Sequence, residues 1–334
     1  MSRDASARRP LRAAILLLAL SAVAVPCRSE QTSPFRTRNL SPLVSIFGIP
    51  AWEAPSADER LRGGVTTELA NHYRLSRRGD EVLTLDGETW RTGLWFRAAV
   101  GERWTVSAEL PFVRQSGGVL DDVIDAWHSA FGLPDGGRNR RPEGELTFLL
   151  AEGGTPFYSL RQSAGGLGDL LVSAGRTLGP NGGTRLSATL KLPTGDESVL
   201  GGSGSTDFAV TLLYGVDTRV GRLPAGYFLG IGGIRLGEPD FIRYDARRTS
   251  VLGIVGGSLK AWPRTGLKAQ IELHGALYDS PLKEIGDPGV QLTVGGWREF
   301  GRRAIVDFGV NEDLAVSTSP DVVLHVNLSW KFPQ

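Results

Sequence analysis

The chain has 334 residues, with 37 Lys and Arg against 36 Asp and Glu, a formal charge of +1. A hydrophobic share of 41% and a mean hydropathy of −0.10 exclude a bundle of membrane helices. They fit a transmembrane barrel, in which half of each strand faces a polar interior. With Cys27 as its single cysteine, the chain has no intrachain disulfide.

Residues 1–29 read as an export signal. Arg3, Arg8, Arg9 and Arg12 form a positive start, and Ala13 to Ala24 form an apolar stretch too short to span a bilayer. Cleavage is expected after Ala24 or Ser29, with export to the outer membrane of a Gram-negative bacterium. A lipoprotein reading of Cys27 is opposed by Pro26 before it and by Ala24 where Leu is expected. The leader holds five arginines against Asp4, so the chain's +1 becomes −3 without it. A mature chain of that charge argues against nucleic acid as a partner. Residues 30–62 are Pro-rich and irregular, and are expected to form an N-terminal arm or plug.

From residue 63 to 334 the dominant pattern is alternation with a period of two, the signature of strands between lipid and water. The last segment is the clearest: Val322, Leu324, Val326, Leu328, Trp330 and Phe332 share one face, opposite Val323, His325, Asn327, Ser329 and Lys331. Residues 267–278 repeat it, with Lys268, Gln270, Glu272, His274 and Tyr278 on the polar face, as do 185–192 and 103–112. Strands are expected at 65–75, 89–99, 103–113, 168–178, 184–193, 206–218, 224–236, 248–261, 265–278, 288–299, 302–312 and 321–332. Their length suits a tilted crossing of a bilayer. Tight turns near 100–103, 179–183, 219–224, 262–265 and 299–302 alternate with longer loops near 76–88, 194–205, 237–247, 279–288 and 313–320, as in outer-membrane barrels. Outward aromatics at strand ends (Trp104, Phe112, Trp330, Phe332) would form the interfacial girdle. The predicted fold is therefore all-β: an antiparallel transmembrane barrel of about 12 strands. It becomes 14 if 144–151 and 155–162, a short hairpin around Gly153-Gly154 assigned to the outside, cross as well.

The longest interruption, 114–167, is expected to be an extracellular insertion bearing a helix. Leu120, Val123, Ile124, Trp127 and Phe131 recur at helical spacing, with Asp121, Asp122 and Asp125 where the helix dipole favours anions. That stripe is a candidate lid or plug for the barrel mouth; a surface helix resting on the loops is the alternative.

Chemical motifs are few. Leu192-Pro193-Thr194-Gly195-Asp196 ends a strand and starts a loop, and the glycines from 195 to 204 lack the Lys-Ser/Thr of a phosphate loop. Gly230, Gly232 and Gly233 are expected to relieve crowding inside a barrel. His72, His128, His274 and His325 show no metal spacing, and no metal or cofactor is expected. An embedded lipid hydrolase would need a lipid-facing nucleophile and base in contact, whereas His325 and Ser329 stand four residues apart on the inward face. A non-enzymatic role follows. The lumen-lining candidates are Arg97, Glu109, Lys191, Lys268, Glu272, His274, Asp307, Asn311, His325, Asn327 and Lys331, with Arg185 and Asp207 on the same face. Their mixed signs suggest a narrow path for a small solute, or an ion-paired, filled core.

The chain resembles a bacterial family of unknown function whose members are regarded as outer-membrane barrels. The resemblance rests on Arg38-Asn39-Leu40-Ser41-Pro42-Leu43 with Ile46-Phe47-Gly48-Ile49-Pro50, on Phe131-Gly132-Leu133-Pro134-Asp135-Gly136-Gly137-Arg138, and on Ser317-Thr318-Ser319-Pro320-Asp321-Val322-Val323. It implies location and fold, and supplies no substrate. Leu190 to Gly195 also resembles a segment of barrels linked to uptake of aromatic compounds. Ser329-Trp330-Lys331-Phe332 resembles the signal by which the barrel-assembly machinery recognises a C-terminal strand, with Pro333-Gln334 departing from it. The expected role is a passive porin-like channel or transporter for a small solute, contacting outer-membrane lipid, with a structural or surface-interaction barrel of filled lumen as the alternative.

Overall fold

The computed structural model describes residues 33–54, 61–118, 144–179, 182–314 and 318–333. Twelve antiparallel strands close into a barrel: β1 (Leu61–Arg78), β2 (Glu81–Val100), β3 (Trp104–Ser116), β7 (Leu170–Leu178), β8 (Thr184–Leu192), β9 (Asp207–Val220), β10 (Leu223–Arg235), β11 (Thr249–Trp262), β12 (Thr265–His274), β13 (Gly289–Phe300), β14 (Ala304–Asp313) and β15 (Val322–Lys331). The ring closes where β1 meets β15, in a ladder running from Arg62 opposite Lys331 to Asn71 opposite Val322. Closure leaves the ring no open edge along the β1–β15 ladder, which is what hydrocarbon demands of a sheet.

Three further strands, β4 (Thr147–Glu152), β5 (Thr155–Leu160) and β6 (Ala164–Leu167), do not enter the ring. The hairpin of β4 and β5 extends the sheet from the upper part of β2, with Glu81 opposite Glu152 and Asp86 opposite Thr147. It does not cross, so the count is 12. The loop expected at 76–88 is a correction. β1 and β2 run on to a turn at Gly79-Asp80, where Gly79 takes a φ of 57°. Beyond the bilayer these strands need no lipid-facing apolar side, so their alternation fades while their pairing continues. A smaller correction falls at 168–169, expected within a strand. The ladder of β3 passes from β7 to β6 at Pro111, whose ring removes an N–H from that side. Gly168 N donates to Pro111 O at 2.7 Å as the chain bends there. The expected helix at 119–131, and with it the candidate stripe Leu120, Val123, Ile124, Trp127 and Phe131, lies outside the described residues.

The alternation has the sense read from the sequence. Val326 is 47% exposed and Ile231 67%, whereas His325 is 1% exposed. The apolar side chains that a soluble protein would hide form the outer belt. Trp104, Trp262 and Trp330 stand exposed at the end with the short turns, and Phe112 and Phe208 toward the other, the two girdles of a membrane barrel.

The end with the long loops is capped. Leu83 and Leu85 of β2, Phe148 and Leu150 of β4, and Leu277, Leu282 and Ile285 of the 275–288 loop share one buried apolar cluster. Tyr244 OH donates to Val82 O at 2.7 Å and Tyr158 OH to Ser198 O at 2.9 Å. Burial raises both phenols above their ordinary value, helped by Asp196 near Tyr158 and by Glu81 near Tyr244, so each stays a donor.

Candidate functional site in the barrel interior

Residues 33–54 thread the ring. Both ends of the segment lie in the half with the short turns. Phe35 N donates to Gln270 Oε1 at 2.7 Å, and Glu53 pairs with Arg185, the second residue of β8, at 2.8 Å. Its tip, a short helical turn over Pro42–Ser45, reaches the opposite end, where Tyr278 OH donates to Leu43 O at 2.9 Å. There Leu43, Val44 and Phe47 join the apolar cluster of the cap. A segment rich in proline, with unpaired backbone groups, is stable inside a barrel only if the wall supplies partners; the inward polar face of the strands supplies them.

The rising limb is held by a chain of polar contacts. Lys268 pairs with Asp307 at 2.8 Å and lies 4.5 Å from the centre of the Phe35 ring. Gln270 Nε2 donates to Thr37 Oγ1 at 2.8 Å, and Thr37 donates to Glu272. Asn39 Nδ2 lies 2.9 Å from His274 Nε2 and donates to Thr318 O at 3.1 Å. His274 Nδ1 is 2.8 Å from Gly275 O, which assigns its proton to Nδ1 and leaves Nε2 as the acceptor. At the centre, Glu109 receives three guanidinium groups: Arg36 at 2.9 Å, Arg38 at 2.7 Å and Arg91 at 2.6 Å. Arg36 also stacks 4.4 Å over Trp95.

The descending limb uses a second cluster. Lys191 Nζ donates to Ile46 O at 3.0 Å and stands between Asp169 at 2.7 Å and Asp207 at 3.3 Å. Asp207 in turn accepts from Gly48 N at 2.7 Å. A Cβ on residue 48 would stand 2.7 Å from Lys191 Cβ, so glycine is what lets this backbone approach the pair. Asp169 also accepts from Thr194 N at 3.0 Å and Gly195 N at 2.8 Å, so the Pro-Thr-Gly stretch is a loop folded onto a carboxylate. Trp52 lies over Gly230, between Leu213 and Ile254, on an apolar sector of the inner wall. Glu53 is shared by Arg185 and Arg36, the latter at 3.4 Å, with Arg97 adding positive charge nearby.

Among the remaining candidates, Asn327 accepts from Trp95 Nε1 and Thr66 Oγ1, both at 3.0 Å, and donates to Asp307 at 3.1 Å. Asn311 donates to Thr293 Oγ1 at 3.1 Å. His325 Nδ1 faces Glu68 at 3.3 Å, and its ring meets Phe35 edge-on. Ser329 accepts from Arg62 at 2.7 Å, so His325 and Ser329 belong to separate pairs. Lys331 sits half-buried opposite Arg62 at the short-turn end. Glu68, Arg91, Trp95 and Asp169 were missed. The first three lie on the inward face of β1 or β2 and share its parity, the signal that would have found them. Asp169 lies in the bend and has no such signal.

Beside the segment, against β3, β7 and β8, two small gaps lie among the described residues. One, with room for about a single water, is bordered by Arg38, Phe47, Arg91, Pro111, Asp169 and Lys191. The other, equally small, is bordered by Arg36, Pro50, Glu53, Glu109, Ser173 and Thr189. Leu171 borders both, and the Arg36–Glu109–Arg38 contacts stand between them.

A closed 12-stranded ring with an apolar outer belt, a polar interior, short turns at one end and long loops at the other defines the class: a barrel of the outer-membrane type. The chain belongs to the family described as "Protein of unknown function (DUF3187)", whose model matches residues 12–332. Among solved structures it is similar to the COG4313 outer membrane channel from Pseudomonas putida F1, at 16% identity and a TM-score of 0.52 over 82% of this chain and 96% of that one. It is also similar to the P. putida toluene transporter TodX, at 11% identity and a TM-score of 0.37 over 91% and 96%. A search of the curated proteins found no match.

Proposed function

We propose that this protein is an outer-membrane channel for a small solute, held closed by its own N-terminal segment. The observation that carries the reading is the thread itself: residues 33–54 occupy the ring yet hold to its wall through side-chain contacts such as Arg36–Glu109–Arg38, without joining the ladder of the sheet. Charged groups of both signs and apolar Phe47, Leu171 and Pro111 border the gaps beside the thread; a wall of that kind, once the thread has moved, suits a solute with a polar group and an apolar face. The likeness of fold to the P. putida outer membrane channel supports the class and leaves the solute open. Arrival in the membrane would follow removal of residues 1–29 and recognition of the C-terminal strand by the assembly machinery; the mass of the mature chain tests the first.

The test is conductance in planar bilayers and solute entry into proteoliposomes, for the intact chain and for a form lacking 33–54. The intact protein should give rare, brief openings and the deleted form a steady open level. A deleted barrel that folds and remains silent would overturn the proposal. It would favour the second reading, a structural barrel with a filled lumen, which the buried ion pairs Arg185–Glu53 and Lys191–Asp169 support.

A further inference from the structure

The two rims differ in charge. The short turns of the ring are 101–103, 179–183, 221–222, 263–264 and 301–303. Among their described residues, Arg103, Arg222, Arg264, Arg302 and Arg303 are exposed, against Glu102 as the one acid. Exposed Arg219 adds to them at the end of β9. At the other rim the signs mix: the loop over 236–248 sets Glu238, Asp240 and Asp245 against Arg243, Arg247 and Arg248.

The collar also points outward. Arg176 continues the lipid face of β7 and lies 5.5 Å over Trp104; Arg298 does the same on β13, 5.7 Å over Phe300. Those rings belong to the girdle that marks the edge of the hydrocarbon. Guanidinium groups stacked on their outer faces therefore stand at headgroup depth, outside the lumen mouth. Each can pair bidentately with a phosphate.

We infer that this arginine collar binds the headgroups of anionic phospholipids in the periplasm-facing leaflet. The inference concerns the outer rim and is independent of what crosses the lumen. Lipid is favoured over an acidic protein because the charge lies on every described short turn but one and faces the same way as the apolar belt. A protein docking at the mouth would need the charge on the inner lip.

The test uses the full chain in phosphatidylcholine bilayers containing brominated phosphatidylglycerol or brominated phosphatidylcholine at equal fraction. Quenching of the exposed tryptophans reports which lipid occupies the rim. The wild type should prefer phosphatidylglycerol, and 0.5 M salt should remove most of the preference, since a Debye length of ~3–5 Å screens exposed charges. An arginine at an anionic surface contributes on the order of fivefold. The variant R222Q/R264Q/R302Q/R303Q should therefore lose at least about fivefold in preference, and the corresponding four-lysine variant should keep most of it. Equal quenching by the two lipids in the wild type overturns the inference. So does an unchanged preference in the glutamine variant, or tight capture of soluble heparin by a wild type with no lipid preference. If the glutamine variant fails to fold, the wild-type preference and its salt dependence decide.

Discussion

Glu109→Gln removes the carboxylate shared by Arg36, Arg38 and Arg91 while keeping the shape of the side chain and one acceptor oxygen. Arg36 and Arg38 belong to the threaded segment, and Arg91 belongs to the wall. The partners are 5–14% exposed, so the contacts of 2.6–2.9 Å are made in a largely desolvated setting. Removing one member of a buried ion pair costs about 3–5 kcal/mol, because the remaining charge is left buried without a counterion. Arg91 keeps Glu68 at 3.6 Å and Arg36 keeps Glu53, which places the cost near the low end. In the proposed withdrawal of the segment toward the short turns, Arg36 and Arg38 would regain water, so most of that cost would fall on the threaded state. A loss of about 3 kcal/mol shifts the balance toward withdrawal roughly a hundredfold. Single-channel recording should show openings about a hundred times as frequent, and a protease on the short-turn side should cleave within 33–54 correspondingly faster. Arg91→Gln leaves both segment arginines paired to Glu109, so its effect should be several-fold smaller. Wild-type opening frequency together with wild-type protease protection in Glu109→Gln would refute the reasoning.

Other perturbations follow from the same contacts. In Gly230→Ala the added methyl meets Trp52 at 2.5 Å and Ile254 at 2.8 Å. Overpacking of about 1–3 kcal/mol should lower the temperature at which the folded band is lost on gels, and Trp52→Ala in the same chain should restore part of it. Val326→Lys puts a charge on the outer belt, at a cost of about 2–4 kcal/mol near mid-height, and should cut the folding yield into liposomes sharply. Lys191→Met leaves Asp169 and Asp207 as neighbouring buried carboxylates without their cation, a loss of about 3–5 kcal/mol. Hydrogen exchange should quicken first at Thr194, Gly195 and Ser203, whose N–H groups are held by Asp169.

The ring was legible because the bilayer enforces it. A residue such as Leu324 must meet lipid and its neighbour His325 must not, so a period of two survives in each crossing strand. The rest of the sheet lacked that constraint. Arg77-Arg78-Gly79-Asp80 reads as a loop because nothing outside the membrane punishes charge on both faces of a strand, and Ala164-Gly165-Gly166-Leu167 offers no alternation at all. The interior was half legible. Parity placed Glu109, Lys191 and His274 on the inner face, but parity names a face and never a partner. Their partners Arg38, Ile46 and Asn39 lie in an irregular segment without periodicity, and His274 and Asn39 are 235 positions apart. The glycine in Ile46-Phe47-Gly48-Ile49-Pro50 acquires its reason only once Lys191 and Asp207 are seen beside it.

The N-terminal thread finds part of its footing on and beside β15, the strand that closes the ring on β1. Phe35 meets His325, and Asn39 reaches Thr318 and Ser319. Such long-range contacts form late, after the loop-closing entropy has been met. Until β15 pairs with β1, residues 33–54 lack the contacts to His325, Thr318 and Ser319. The order of the thread is thus tied to the pairing of β15 with β1.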